Sequence, residues 1–438
     1  MNILFLTMAR MTDIKSSGIY SDLMRKFRDN GHSVYIISPV ERRFNTPTYI
    51  NEVDGAKILC VRTLNVQKIN VIEKGLGQVL LELLFKRAIG KYFRGVKFDL
   101  ILYSTPPITF VNAIKFVRKQ NPGAMTYLLL KDIFPQNAVD LGMLSKGGLK
   151  GVLYRSFRRK EKELYRISDW IGCMSPANAK YVIEHNPEVN LAKVEVCPNS
   201  CDVPSDDFVQ TQTDAKPSAI GSLLTDCRGA KEEKTRSGLM IRGCTNIRQK
   251  YGLPAEKPVF LYGGNLGKPQ GISFLIECLK ANAHRKDCRF VIVGNGVDYP
   301  KLEKWVKEEK PESVSLFQFL PKAEYDQLAE ACDIGLIFLD YRFTIPNYPS
   351  RLLSYLTQKK PIIACTDPVC DTGTIAEANG YGFWCLSNSV EAFTKAVDKM
   401  LASDIRQMGE NGYRFFLENY TVQNTYDTIM KHFVSTPF

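Results

Sequence analysis

Short apolar runs alternate with helical stretches along this chain, and the alternation begins twice. The first series opens with an apolar run at 3–7. A loop carrying Ser16-Ser17-Gly18 follows, then a helical stretch over about 19–30 closed by Gly31-His32, then an apolar run at 34–38. Further runs lie at 99–104, 126–130, 169–174 and 193–197. The second series starts at 258–262, turns through Gly263-Gly264-Asn265-Leu266-Gly267 and enters a helical stretch over about 272–283. Its next run, 289–293, ends in Gly294-Asn295-Gly296, and runs at 314–317, 334–338 and 361–365 complete it. Apolar strands joined by helices build parallel sheets covered on both faces. The pattern therefore predicts an α/β fold with two tandem Rossmann-like domains, at 1–202 and 249–403, facing across a cleft. Residues 203–248 are rich in Ser, Thr, Asp, Gly and Lys without sustained periodicity, and read as a linker with an inserted loop. Residues 404–438 read as helical, anchored by Tyr413, Phe415, Phe416 and Leu417.

Composition narrows the function classes. A length of 438 residues suits two or three domains, and 45% hydrophobic with 24% charged residues describes a globular chain. No stretch approaches the ~18 continuous apolar residues of a membrane span. The opening, Met1-Asn2-Ile3-Leu4-Phe5-Leu6-Thr7, lacks a basic leader and reads as a first buried strand. Twelve scattered cysteines form no C-x-x-C pair, the closest being Cys197/Cys201 and Cys365/Cys370, and the four histidines stand apart. A zinc site is not expected, and free thiols suit a reducing cytoplasm. The formal charge of +12 lies wholly in the first half: residues 1–202 hold 30 basic and 18 acidic side chains, and the remainder holds 28 of each. A basic half beside a neutral half implies an anionic partner. No nucleic-acid-binding module accompanies the charge, so an anionic membrane face or a lipid-linked diphosphate is preferred to nucleic acid.

In open parallel sheets ligands sit beyond the C-terminal strand ends. That places chemistry in the loops holding Gly18, Gly264–Gly267 and Gly294–Gly296, although any one glycine turn can be only a tight connection. No G-x-G-x-x-G follows the first strand and no Gly-Lys-Ser/Thr P-loop is present, which argues against a dehydrogenase or a P-loop NTPase. Two such halves across a cleft suit a nucleotide-sugar. Cleaving that donor leaves negative charge on a nucleoside diphosphate, to be held by a metal or by fixed donors. The sequence has no D-x-D pair, so a metal-free route is expected. Main-chain N–H groups of the turn at Gly264–Gly267, a helix start at Pro349-Ser350 and the charges of Lys268 and Arg351 are the candidate substitutes. Lys268 reads equally well as a solvated surface charge.

Several segments resemble one family. Ser17-Gly18, a helix and then Gly31-His32-Ser33-Val34 is similar to the acceptor-side entry of retaining family-four glycosyltransferases, which have the GT-B fold. Lys131-Asp132-Ile133-Phe134-Pro135-Gln136 resembles the R-D-L-W-P-E segment of their WbuB-like polysaccharide-assembly branch. Gly264-Asn265-Leu266-Gly267-Lys268-Pro269-Gln270-Gly271 resembles its G-N-L-G-x-x-Q-G. Pro349-Ser350-Arg351-Leu352-Leu353-Ser354-Tyr355-Leu356 resembles its P-S-K-L-x-E-Y-L, and Cys197-Pro198-Asn199-Ser200 with Asp202 resembles P-N-G-v-D. These matches occur in the family's order over nearly the whole chain.

The resemblance implies a C-terminal helix crossing back to the first domain and a retaining transfer from a nucleotide-sugar, UDP-sugar favoured, without cofactor or metal. It implies donor contacts at Gly18, Gly264, Asn265, Gly267, Lys268, Gln270, Gly294, Leu320, Pro349, Ser350, Arg351 and Ser354. Asp132 is the candidate at the reacting centre, positioning acceptor or sugar, with Lys131 beside it to meet a phosphate; a turn or cap role is the competing reading of Asp132. Two departures bear on activity. Ser354 stands where the family has the Glu that holds the ribose, and Asn265 and Gln270 stand where its Arg and Lys clamp phosphate. The base pocket is expected at Phe317–Pro321, with Phe319 read as a core aromatic. On the acceptor side, residues 71–98 place apolar residues before Lys86, Arg87, Lys91, Arg94 and Lys97, and residues 153–167 carry six further cations. Both segments read either as membrane-surface helices serving a lipid-linked saccharide acceptor, at the inner face of the cell membrane, or as packed helices with a charged face. A catalytically weak sugar-nucleotide-binding partner subunit and a nucleotide-sugar epimerase are the alternatives.

Overall fold

The computed structural model describes residues 1–65, 71–204 and 245–434, so most of the expected insert at 203–248 lies outside the described residues. Two sheets organise the chain. The first comprises β1 (Asn2–Leu6), β2 (Ser33–Glu41), β3 (Tyr49–Val53), β4 (Ala56–Thr63), β5 (Leu100–Ser104), β6 (Met125–Leu130), β7 (Trp170–Cys173) and β8 (Val194–Val196). Its strand order is β3-β4-β2-β1-β5-β6-β7-β8, and only β3 with β4 pairs antiparallel. The second comprises β9 (Val259–Asn265), β10 (Arg289–Asn295), β11 (Val314–Phe317), β12 (Ile334–Phe338), β13 (Ile362–Thr366) and β14 (Gly382–Leu386), all parallel, in the order β11-β10-β9-β12-β13-β14. Central strands such as β1, β5, β12 and β13 are almost wholly apolar and buried because helices cover both faces.

In each sheet the strand order reverses at the opening strand. β1 lies between β2 and β5, and β9 lies between β10 and β12. Such reversals splay the following loops apart and leave a crevice beyond the strand ends. The crevice loops are therefore 7–18 and 105–110 in the first sheet and 266–271 and 339–350 in the second.

In the first domain, α1 (Ile19–Asp29) buries Leu23, Met24 and Phe27 on one face of the sheet. The other face is covered by α2 (Val71–Tyr92), α3 (Val111–Gln120) and α5 (Gly148–Ile167). The short α4 (Gln136–Asp140) precedes α5, and α6 (Pro176–His185) follows β7. For α2 the side chains are described from residue 80 on. Leu81, Phe85, Ala88 and Ile89 recur at helical spacing and are buried against β4 and α3, with Phe85 stacked on Phe110 at 5.3 Å. This face packs on the domain, while Leu80, Leu83 and the late cations are exposed.

The second domain begins with α7 (Thr245–Lys250), where buried Arg248 donates to the Asp333 carboxylate at 2.7 Å and to the Ala331 carbonyl at 2.9 Å. Then come α8 (Ile272–Ala281), α9 (Tyr299–Glu309), α10 (Lys322–Glu330), α11 (Arg351–Thr357), α12 (Thr372–Ala378) and α13 (Val390–Leu401). The C-terminal segment is two helices, α14 (Ile405–Asn419) and α15 (Val422–Val434). Helix α14 packs on α11, whereas α15 crosses to the first domain and lies on α1. There Ile429 joins the first domain's core, Thr425 donates to Ser200 at 2.8 Å, and His432 stacks on Trp170 at 3.5 Å.

Candidate active site

The two crevices meet edge to edge. A small apolar cluster joins Ile133 and Leu141 of the first domain to Leu339, Phe343, Ile345 and Cys370 of the second. Polar contacts frame it. The Asp140 carboxylate accepts from the Thr344 backbone N–H at 2.8 Å and from its hydroxyl at 2.9 Å. The Asn178 side-chain amide donates to the Pro346 carbonyl at 2.6 Å, and the Ala177 N–H donates to the Asp371 carboxylate at 2.9 Å.

Asp132 lies at this seam, directly after β6. The Thr105 hydroxyl, at the end of β5, accepts from the N–H groups of Lys131 and Asp132 at 3.0 and 3.2 Å and donates to the Asp132 carbonyl at 3.1 Å. The Asp132 carboxylate accepts from the Asn137 amide at 2.8 Å. Burial pushes its pKa up to about 6, against the lowering effect of the Asn137 bond and the Ile133 N–H. Lys131 takes another direction. Its ammonium donates to the Cys197 carbonyl at 3.2 Å beneath the sheet edge, and burial lowers its pKa to about 8. In this arrangement it braces the end of the domain, between β6 and the Cys197-Pro198-Asn199 segment.

In the second domain the glycine turn follows β9. Gly264 has φ +136°, a conformation that favours glycine, and an added Cβ would lie 3.1 Å from the Arg351 guanidinium. Arg351 is the first residue of α11. Its guanidinium sits over the Tyr262 ring at 4.4 Å, and its Nη1 is buried with no hydrogen-bond partner. A buried guanidinium nitrogen without an acceptor costs free energy that an anion at the turn would recover. Helix α11 has seven residues, so its dipole adds little to this charge. Ser350 is exposed and makes no capping bond; Pro349 and Ser354 are half-buried beside it.

Asn265 donates to Gln270 at 2.9 Å, so a neutral amide pair bridges the turn. Lys268 is exposed and makes no ion pair among the described residues, and Gly267 is extended backbone at the same bend. Gly294 answers to packing: a Cβ there would overlap the Gly264 carbonyl oxygen, because the two face each other across β9 and β10. Gly18 lies before α1, where its N–H donates to buried Asp22 at 2.8 Å. Leu320 is half-buried after β11. Phe319 corrects the sequence reading: it is 74% exposed, because the chain leaves the sheet at Phe317 and Leu320 turns inward in its place.

Sequence reasoning missed four residues here. Thr105 and Asn137 hold Asp132, and both depend on contacts made by folding. Asp367 and Asp371 sit after β13, and each has one buried carboxylate oxygen without a partner. The Asp367 carboxylate accepts from the N–H groups of Val369 and Cys370 at 3.0 and 2.9 Å, and burial pushes its pKa up to about 7. Its signal was available: like Asp132, it follows an apolar strand and precedes a proline closely.

Comparison with known proteins supplies the decisive finding. Residues 244–415 match the family Glycosyl transferases group 1. With the relatives below, that match makes the chain a glycosyltransferase. Over 93% of its length the transferase is 23% identical to WbjE of Pseudomonas aeruginosa, described as a probable glycosyltransferase, and it covers 91% of that protein. A segment of 159 residues, 35% of this chain and 38% of the relative, is 26% identical to WcaI of Escherichia coli strain K12, named as a colanic acid biosynthesis glycosyl transferase. Among solved structures, sucrose-phosphate synthase of Thermosynechococcus elongatus superposes with a TM-score of 0.70 at 14% identity, over 99% of this chain and all of that one. HepE of Anabaena in complex with UDP gives 0.64 at 16% identity over the whole of both chains. The transferase thus has the two-domain GT-B fold.

Proposed function

We propose that this transferase moves a sugar from a nucleoside-diphosphate sugar, with UDP as the favoured nucleotide, to a lipid-linked saccharide acceptor at the cytoplasmic membrane face during surface-polysaccharide assembly. The configuration at the sugar is retained. The observation that carries the donor reading is the Arg351 guanidinium, with its buried unpartnered nitrogen against the glycine turn at the sheet's reversal point. The diphosphate lies over Gly264–Gly267, with Arg351 supplying the full charge and the Asn265 and Gln270 amides neutral donors. The charge that grows on the leaving phosphate meets fixed donors that need no rearrangement. Across the seam, Asp132 is held by Thr105 and Asn137 where an acceptor hydroxyl approaches. Its role is to orient that hydroxyl while the leaving phosphate takes the proton. The UDP complex of HepE and the naming of WcaI support the choice of donor and pathway class.

The test is a UDP titration followed by calorimetry or thermal shift. Arg351→Ala should weaken UDP binding by about 10- to 100-fold, the loss of one charge-assisted phosphate contact, with Arg351→Lys intermediate. Unchanged affinity in Arg351→Ala would remove Arg351 from the donor site.

A further inference from the structure

Residues 142–160 hold six cations and no carboxylate. They include the first two-thirds of α5. That helix leaves the C-terminal edge of the sheet just after α4 and runs back to start β7, so its N-terminal end stands beside the Asp132 loop. Its inner face is fixed there by Phe157, which packs edge-on against Phe134 at 5.0 Å, and by buried Glu161, Leu164 and Tyr165. Its outer face is unusual. Leu149 is 92% exposed, Val152 58% and Leu153 47%, and at spacings of three and four they form one continuous apolar stripe. Lys150, Arg155 and Arg159 flank the stripe, exposed and without ion pairs among the described residues.

Water-facing Leu and Val at helical spacing are costly unless something apolar covers them, and unpaired cations on both flanks select an anionic cover. We infer that the N-terminal half of α5 docks the enzyme on an anionic lipid bilayer, with Leu149, Val152 and Leu153 entering the headgroup–acyl boundary and Lys150, Arg155 and Arg159 meeting lipid phosphates. This rests on the lipid-linked acceptor reading and gives it an address: the bilayer contact lies at the mouth of the seam, so an acceptor diphosphate held at the membrane reaches Asp132 without leaving it. A bilayer fits this face better than an acidic protein because the apolar residues are aliphatics on a convex helix, not aromatic anchors in a pocket.

The experiment is sedimentation of the full chain with phosphatidylcholine vesicles and with equimolar phosphatidylcholine–phosphatidylglycerol vesicles, at 0.1 M and 0.5 M NaCl. Wild type should bind the anionic vesicles at least about tenfold better than the neutral ones, and most of that preference should vanish at high salt. The variant Leu149→Ser/Val152→Ser/Leu153→Ser should bind about tenfold or more weakly. Lys150→Gln/Arg155→Gln/Arg159→Gln should lose roughly a hundredfold on anionic vesicles only. All six positions are on the surface, and an unchanged UDP thermal shift in both variants verifies the fold. No vesicle binding by wild type, or equal binding by the apolar variant, overturns the inference. So does a dimer in solution that the apolar variant dissociates. Vesicle binding with no UDP shift leaves the docking face standing and removes the donor reading. Equal transfer to soluble and lipid-linked saccharides would remove the acceptor reading alone.

Discussion

At the residue scale, half-buried Asp132 and buried Asp367 both add to the pH dependence of this molecule. Asp132 and Asp367 titrate at about 6 and about 7, both raised chiefly by burial. An unfolded aspartate titrates near ~3.9. The folded chain therefore binds more protons than the unfolded chain above that pH, and stability from these groups is lost as pH rises through the folded values. Asp367→Asn keeps an oxygen for the Val369 and Cys370 N–H groups and removes the buried charge. It should raise unfolding free energy by about 2 kcal/mol at pH 8 and change it little at pH 4, read by urea denaturation at both pH values. An equal effect at both would rule out charge burial as the cause. For Asp132 the readout is catalytic. With the ionised form active, kcat/KM should rise through about pH 6, and Asn137→Ala, which removes a bond that favours ionisation, should move that limb to higher pH. Asp132→Asn should lower kcat by about 100-fold, measured as nucleoside diphosphate released. Asp132 was legible because a buried strand followed closely by proline puts its carboxylate at a strand end. Asp367 carries the same mark and passed unnoticed, since no sequence rule says which strand ends converge.

At the element scale, α2 and α5 carried the same two readings, and their partners separated them. Both mix apolar and basic residues. Leu81, Phe85, Ala88 and Ile89 of α2 are buried against β4 and α3, whereas Leu149, Val152 and Leu153 in the first turns of α5 stay exposed. Composition could not distinguish them, because burial is a property of what packs against a face. The glycine-rich ends of β9 and β10 were predicted as loops, yet they continue as paired strand through Asn265 and Asn295. That pairing explains Gly294 without reference to a ligand. Gly294→Ala should cost about 1–3 kcal/mol by overpacking and should also impair UDP binding, because the strand it displaces carries the turn. A lower melting temperature with unaltered UDP affinity would mean that the turn is held by something other than β10.

At the scale of the whole molecule, the domains are coupled twice, by the seam around Ile133 and Phe343 and by α15 crossing back to α1. In the second coupling Ile429 is buried in the first domain's core, and Tyr426, Met430 and Phe433 pack against it. Ile429→Ala should destabilise the chain by about 2–5 kcal/mol, the usual cost of truncating a fully buried aliphatic. Because His432 stacks on Trp170, undocking should appear as a change in Trp170 fluorescence in a Trp305→Phe/Trp384→Phe background. A fluorescence transition that coincides with global melting would mean that α15 and the first domain unfold as one unit.

The order of apolar runs determined the fold class by itself, because strand burial and helix periodicity are local and leave their mark on neighbouring residues. The same holds for the glycine turn at Gly264–Gly267 and for the aspartate after β6. The antiparallel β3–β4 hairpin, the edge strand β14 and the solvent-facing position of Phe319 were decided by tertiary structure. So were the unpartnered nitrogen of Arg351, the clasp of Asp140 on Thr344 and the naked outer face of α5. Each depends on atoms brought together from distant parts of the chain, and a linear pattern holds no record of which distant groups will be left without a partner.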